Sequence, residues 1–116
     1  PNQAEVNHLI GDLKDMDVLI IDDMIDTAGT TVNAAQAALD EGARSVTAVA
    51  THGVLSGPAI ERLSGSKIRK IIVTDTIDIP KEKYIDKMEI VSVGNVFGEA
   101  VNRIYKGESV SALFEF

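Results

Sequence analysis

Residues 18 to 31 read VLIIDDMIDTAGTT, and they hold most of the chemical capacity of the chain. Asp22 and Asp23 end an aliphatic run, Asp26 follows, and Thr27, Thr30 and Thr31 surround Ala28 and Gly29. Strand side chains alternate sides, so Asp22 and Asp23 cannot both point into covering helices. At a strand's carboxyl end they can emerge into a crevice, where adjacent acids are costly if unpaired. In the turn after them Gly29 is expected to permit positive φ, Ala28 leaves room, and the threonines offer hydroxyls. A helix starting there would present free backbone N–H groups and the positive end of its dipole, a setting suited to phosphate. A ligand with a phosphate at one end and hydroxyls or bound Mg²⁺ at the other would satisfy both halves, and a sugar phosphate has that layout. The purely structural alternative is a strand-end acid pair followed by an N-capping threonine.

The elements that must position these residues follow from the apolar pattern. Val18 to Ile21, Ser45 to Ala50 and Ile71 to Val73 are short apolar runs of the kind expected for parallel strands buried on both faces. Between the first two lies TVNAAQAALDEGA, helical in propensity, with Val32, Ala35 and Leu39 as an inner stripe and Gly42 as its stop. Between the next two lies GPAIERLSGS, with Pro58 suited to a helix's first turn and Ile60 and Leu63 able to face the sheet. A βαβαβ order results. Its crossovers are expected to be right-handed and its ligand to sit beyond the carboxyl ends of the strands. After Pro80 come a charged connector KEKYIDK, a fourth strand MEIVSV, and an amphipathic helix GNVFGEAVNRIYKG carrying Val96, Phe97, Val101, Ile104 and Tyr105. The last segment, SVSALFEF, is short and alternates apolar residues; Phe114 and Phe116 suit core closure or a subunit contact. The fold class read here is α/β, an open and mainly parallel sheet with flanking helices, in one domain over residues 1–116.

Composition narrows the classes. With 116 residues, 45% hydrophobic and 25% charged, the chain reads as a soluble globular domain. No apolar run approaches the roughly 20 residues of a membrane span and no signal-peptide pattern opens the sequence, so a cytoplasmic location is the expectation. Zero cysteines exclude disulfides and thiolate metal sites. Eleven Lys and Arg against 18 Asp and Glu give a net charge of −7, which disfavours nonspecific attraction to nucleic acid or anionic membrane. Lys67, Arg69 and Lys70 lack interleaved aromatics and read as a solvated strand entrance. Neither GxxxxGK[ST] nor GxGxxG occurs. His52 follows the second strand and either lines the crevice or bonds to backbone; His8 reads as solvated, and no paired His spacing supports a protein-only metal site. The opening PNQAEV has no initiator Met, which suggests a chain cut from something longer.

VLIIDDMIDTAGTT resembles the ribose-phosphate and phosphoribosyl-pyrophosphate binding motif of type I phosphoribosyltransferase folds, specifically that of the ribose-phosphate pyrophosphokinase (phosphoribosyl pyrophosphate synthetase) family. PNQAEVNHLIGD before it, and ATHGVLSGPAIERL, VTDTIDIP and ESVSALF after it, resemble the same family in the same order, so the likeness covers essentially the whole chain and points to its carboxy-terminal part. The resemblance implies transfer of the β,γ-diphosphoryl group of Mg-ATP to the C1 hydroxyl of ribose 5-phosphate, giving phosphoribosyl pyrophosphate and AMP. It implies that Asp22, Asp23 and Asp26 contact ribose hydroxyls or Mg²⁺, with Asp22 and Asp23 as the metal contacts beside substrate. Thr27, Ala28, Gly29, Thr30 and Thr31 would cradle the 5-phosphate. Catalysis would be mainly positioning and charge stabilisation, with the acids binding and orienting rather than acting as general bases. No catalytic residue is assigned within these residues. The pyrophosphate loop, the basic flexible loop and the amino-terminal domain supplying most of the ATP site would all lie upstream of Pro1.

Further implications of the resemblance are a homo-hexamer and a regulatory phosphate or ADP site at Ser109, Val110 and Ser111, against the alternative of a local hydroxyl turn. Asp75 stands where the family often has Asn, and Asp78 adds another acid nearby. A noncatalytic synthetase-associated regulatory subunit is the competing class; it characteristically disrupts the ribose-phosphate loop, whereas DTAGTT is intact here. A purine or pyrimidine phosphoribosyltransferase fits the flanking motifs less well.

Overall fold

The computed structural model describes residues 11–114. Strand β1 (Asp17–Ile25) leads to helix α1 (Gly29–Asp40), β2 (Ser45–Gly53), α2 (Ala59–Gly65) and β3 (Lys70–Thr74). A 3₁₀ turn (Lys81–Lys83) precedes β4 (Met88–Val91), α3 (Gly94–Lys106) and a second 3₁₀ turn (Ser111–Phe114). The strands form one four-stranded sheet in the order β1-β2-β3-β4, and every neighbouring pair is parallel. This is the expected α/β class.

Strand order decides which face is covered. When parallel strands are added one after another in a single direction, right-handed crossovers place their helices on the same side. Val18 pairs with Val46, Ile20 with Ala48, Ala48 with Ile71 and Ala50 with Val73, so these side chains share one face. Ala35 and Ala38 of α1 and Ala59 and Leu63 of α2 join that face in a single buried cluster. The small residues let the helices approach the sheet closely, and the largest fully buried side chains, among them Leu63, Ile71, Val46 and Val73, fill the space between them. Each such side chain contributes about 1.5–3 kcal/mol relative to exposure. α1 ends as its sequence dictates: Gly42 takes φ 96, its N–H donates to Leu39 O at 3.0 Å, and Ala43 N–H donates to Ala38 O at 3.1 Å.

The opposite face differs from the sequence expectation. Leu19 and Ile21 on β1 are 62% and 76% exposed, so the apolar run of β1 is not buried on both faces among the described residues. Both helices between the first three strands lie on one side, and β1 is the sheet's edge. The amphipathic α3 forms where expected, stopped by Gly107 at φ 71, yet none of its residues is buried. Phe114 is also exposed and does not close the core. His8 and Phe116 lie outside the described residues.

Candidate functional site

The carboxyl end of β1 and the first turn of α1 enclose a cleft of about 210 Å³ lined by Asp22, Asp23, Met24 and Asp26 through Thr31. The structure therefore brings together every residue of the acidic and hydroxyl halves named from sequence. Asp22 and Asp23 both lie within β1. Asp22 Oδ1 accepts the N–H of Asp23 at 2.8 Å, and Asp23 Oδ1 accepts that of Met24 at 2.8 Å. These bonds fix the carboxylates against their own backbone. Asp26 is tied differently: its Oδ1 accepts the hydroxyl of Ser56.

The turn reverses one expectation. Ala28, not Gly29, takes the left-handed conformation, with φ 68 and ψ 6, and it does so while 4% exposed. Gly29 is the first residue of α1, and its lack of a side chain serves a close approach instead. A Cβ there would stand 3.1 Å from Nη1 of Arg62. The N–H of Val32 donates to Ala28 O at 3.0 Å, and no side chain caps the helix start. The first-turn amides of Gly29, Thr30 and Thr31 thus face the situation in which a helix start favours an anion. Thr31 is buried, whereas Thr27 and Thr30 are exposed.

A second segment, residues 54–62, supports the turn from behind. Val54 and Leu55 N–H donate to Ile25 O, each at 3.0 Å, Ser56 N–H donates to Asp26 O at 3.0 Å, and Arg62 Nη1 donates to Thr27 O at 3.2 Å. Lys83 Nζ in turn donates to Leu55 O at 3.0 Å. Sequence reasoning missed Ser56 and Arg62. A serine before Gly57-Pro58 is ordinary turn chemistry, and an arginine beside the sheet-facing pair Ile60 and Leu63 reads as a solvated helix residue, so neither carried a signal.

Other candidates fall elsewhere. His52 is part-buried within β2 and does not line the cleft; its Nδ1 lies 2.7 Å from Thr76 Oγ1, so its bond is to a side chain rather than to backbone. Thr76 and Thr74 hydroxyls both donate to Thr51 O, at 3.1 and 2.6 Å. Asp75 accepts Val93 N–H at 2.9 Å, and that bond, with the hydroxyl of Ser92, holds its carboxyl below the ordinary carboxylate range. Arg44, then Ser45, does the same more strongly for Asp17 at the far end of β1. Burial pushes Lys87 down while its ammonium donates to Ser66 O and Ile68 O at 3.0 and 3.2 Å. Ser109 and Ser111 make a local turn, with hydroxyls 2.7 Å apart and the Ser109 carbonyl accepting Arg103 Nη1 at 3.1 Å. Val110 is half-buried between them. Among the described residues no three His, Cys, Asp or Glu side chains converge as a metal site, and no helix is long and apolar enough to cross a membrane.

The family model described as the phosphoribosyl synthetase-associated domain matches residues 2–115. The chain is 57% identical over 113 residues to the ribose-phosphate pyrophosphokinase of Caldanaerobacter subterraneus subsp. tengcongensis, an alignment spanning 97% of this chain and 36% of that relative. To the ribose-phosphate pyrophosphokinase of Clostridium tetani it is 54% identical over 115 residues, spanning 99% and 36%. The fold is similar to the crystal structure of phosphoribosylpyrophosphate synthetase from Mycobacterium smegmatis, with a TM-score of 0.82 and 35% sequence identity over 84% of this chain and 33% of that one. The chain thus spans about a third of the length of the curated relatives it matches.

Proposed function

The chain belongs to the phosphoribosyl synthetase-associated domain family, and from that membership we propose that it forms the ribose-5-phosphate site of a ribose-phosphate diphosphokinase. The observation that carries this reading is the single cleft lined at one end by Asp22 and Asp23 and at the other by the uncapped start of α1. The amides and hydroxyls of Thr27 to Thr31 would hold the 5-phosphate, and Asp22 and Asp23 would accept hydrogen bonds from ribose hydroxyls. With the sugar fixed at both ends, its C1 hydroxyl is presented to the β-phosphorus of ATP. Bond formation there, with departure of AMP, makes phosphoribosyl pyrophosphate. The contribution of these residues is orientation and the holding of charge.

The donor set also fits Mg²⁺ held jointly with substrate. Asp22 and Asp23 are hard oxygen donors, and Mg²⁺ is commonly bound by one or two carboxylates with phosphate oxygens completing its shell. The ion would neutralise charge on the diphosphoryl group. ATP, the rest of its site, and the activity as a whole belong in this reading to the intact polypeptide. We extend it to a homo-oligomer in the cytoplasm, with phosphate or ADP as effector at Ser109 to Ser111. The exposed apolar residues Val96, Phe97, Val101 and Ile104 support assembly, because they need cover. The unbroken DTAGTT turn supports the catalytic class over the noncatalytic regulatory one.

Asp22→Asn and Asp23→Asn, each introduced into the intact polypeptide, test the assignment. Loss of a charge-assisted hydrogen bond corresponds to about a tenfold to hundredfold fall in kcat/KM. The unfolding midpoint should barely move, because both side chains are exposed. Equal losses of activity and stability would return these acids to a structural role.

A further inference from the structure

Three successive carbonyls, those of Ile25, Asp26 and Thr27, accept hydrogen bonds from the segment 54–62. The last of them is unlike the others, because its donor is a side chain, the guanidinium of Arg62. Arg62 does not line the cleft. It lines a neighbouring recess with Gly29, Val32 and Asn33. The bond therefore ties the Thr27 carbonyl to a side chain outside the lining of the cleft.

The next peptide explains why such a bond is needed. Ala28 holds φ 68, a conformation that costs an L-residue free energy. Rotation of the Thr27–Ala28 peptide plane would relieve it, and the same rotation would bring the Thr27 carbonyl round and turn the Ala28 N–H away. A carbonyl oxygen in the cleft would repel a phosphate. We propose that Arg62 is a positioning residue of the phosphate turn, holding the Thr27 carbonyl behind the loop and so keeping the strained, anion-accepting form. The inference rests on the ribose-5-phosphate reading of the cleft. It also bears on Gly29: a Cβ at that position would stand 3.1 Å from Arg62 Nη1, so the guanidinium would have to shift by a few tenths of an ångström beside its bond to Thr27.

The test is a double-mutant cycle in the intact polypeptide, read by calorimetric titration with ribose 5-phosphate and by thermal unfolding. Arg62→Ala puts a strong helix former on an exposed helix position, so the fold should be retained. Its affinity for ribose 5-phosphate should fall about fivefold, less than for a buried charge-assisted bond because the group is solvated. Gly29→Ala should weaken binding roughly two- to fivefold in the Arg62 background and cost nothing further once Arg62→Ala is present. Unchanged affinity in Arg62→Ala overturns the role of Arg62. So does a loss of affinity that is matched by a fall in the unfolding midpoint and adds to that of Gly29→Ala. Failure of the unaltered protein to bind ribose 5-phosphate refutes the cleft itself, and the two failures are thereby told apart.

Discussion

Replacing Ala28 by glycine should leave stability almost unchanged while weakening ligand binding. The left-handed backbone at Ala28, φ 68 and ψ 6, costs an L-residue ~1–2 kcal/mol, which glycine would recover. Against this stand two losses. The methyl group of a residue only 4% exposed is removed, worth ~0.8 kcal/mol. The unfolded chain gains freedom, worth ~0.4–1 kcal/mol. The sum lies within about 1 kcal/mol of zero, and urea unfolding should give a midpoint close to the parent's with the same m-value. Binding responds differently, because the freer turn must be ordered by the ligand; ribose 5-phosphate affinity should fall roughly two- to fivefold. Ala28→Val is the control, since it adds a branched side chain to a buried left-handed position and should cost at least ~2 kcal/mol. If Ala28→Gly alone lost more than ~2 kcal/mol, methyl packing would outweigh backbone strain and the turn would hold no strained peptide to be locked.

Val93 N–H, then the Ser92 hydroxyl, holds the Asp75 carboxyl below the ordinary carboxylate range, so its contribution is fully present above that range and lost as pH falls through its folded value. Asp75→Asn should accordingly flatten the acid-side decline of stability, measured as urea midpoints from about pH 5 down to about pH 2; an unaltered profile would refute the assignment. Gly53→Ala would place a Cβ 3.2 Å from Ile79 Cδ1 and 3.3 Å from Val73 Cβ, and should destabilise by ~1–3 kcal/mol through overpacking. Ile79→Val, which removes the nearest atom, should recover part of that loss in the double variant. Residues 1–116 alone, assayed with ribose 5-phosphate, ATP and Mg²⁺, should form AMP only at background, because a net charge of −7 offers Mg-ATP no general attraction and no basic loop accompanies the DTAGTT turn in this sequence. Sustained ribose-5-phosphate-dependent AMP formation by this chain would refute that.

Much of this arrangement was legible in the residues. Short aliphatic runs separated by helical windows predict the parallel strands, and β1, β2 and β3 begin within a residue of where those runs do. Gly42 reads correctly as the helix stop because a positive φ after a periodic segment is its own signature. The turn misled at one position. Glycine is the ordinary carrier of positive φ, yet in DTAGTT the neighbour Ala28 adopts it and Gly29 makes room for a side chain 33 positions on. That reason is tertiary, and no local pattern encodes it. The same holds for Ser56, whose hydroxyl finds Asp26 only because β1 and β2 are in register, Ile25 opposite Gly53. The aliphatic run of β1 was read as doubly buried because such runs belong to sheets covered on both sides, and here only one side is covered among the described residues.

The sheet order explains why the cleft and its support come from consecutive loops. Parallel strands deliver all their βα turns to one end of the sheet, and β1 and β2 are neighbours, so the turn leaving β2 must pass beside the turn leaving β1. In the proposed reading the first turn carries the ligand-facing groups, with Ala28 in the left-handed conformation among them. The second turn supplies none of the residues lining the cleft; it contributes the amides of Val54, Leu55 and Ser56 and the side chain of Ser56, and α2 after it adds the side chain of Arg62. Strain persists only where surrounding structure over-determines it, and bonds to three consecutive carbonyls do that. On the proposed reading, substitutions in the segment HGVLSGPAIER should therefore act on substrate affinity through the shape of the first turn, without a direct contact to the ligand.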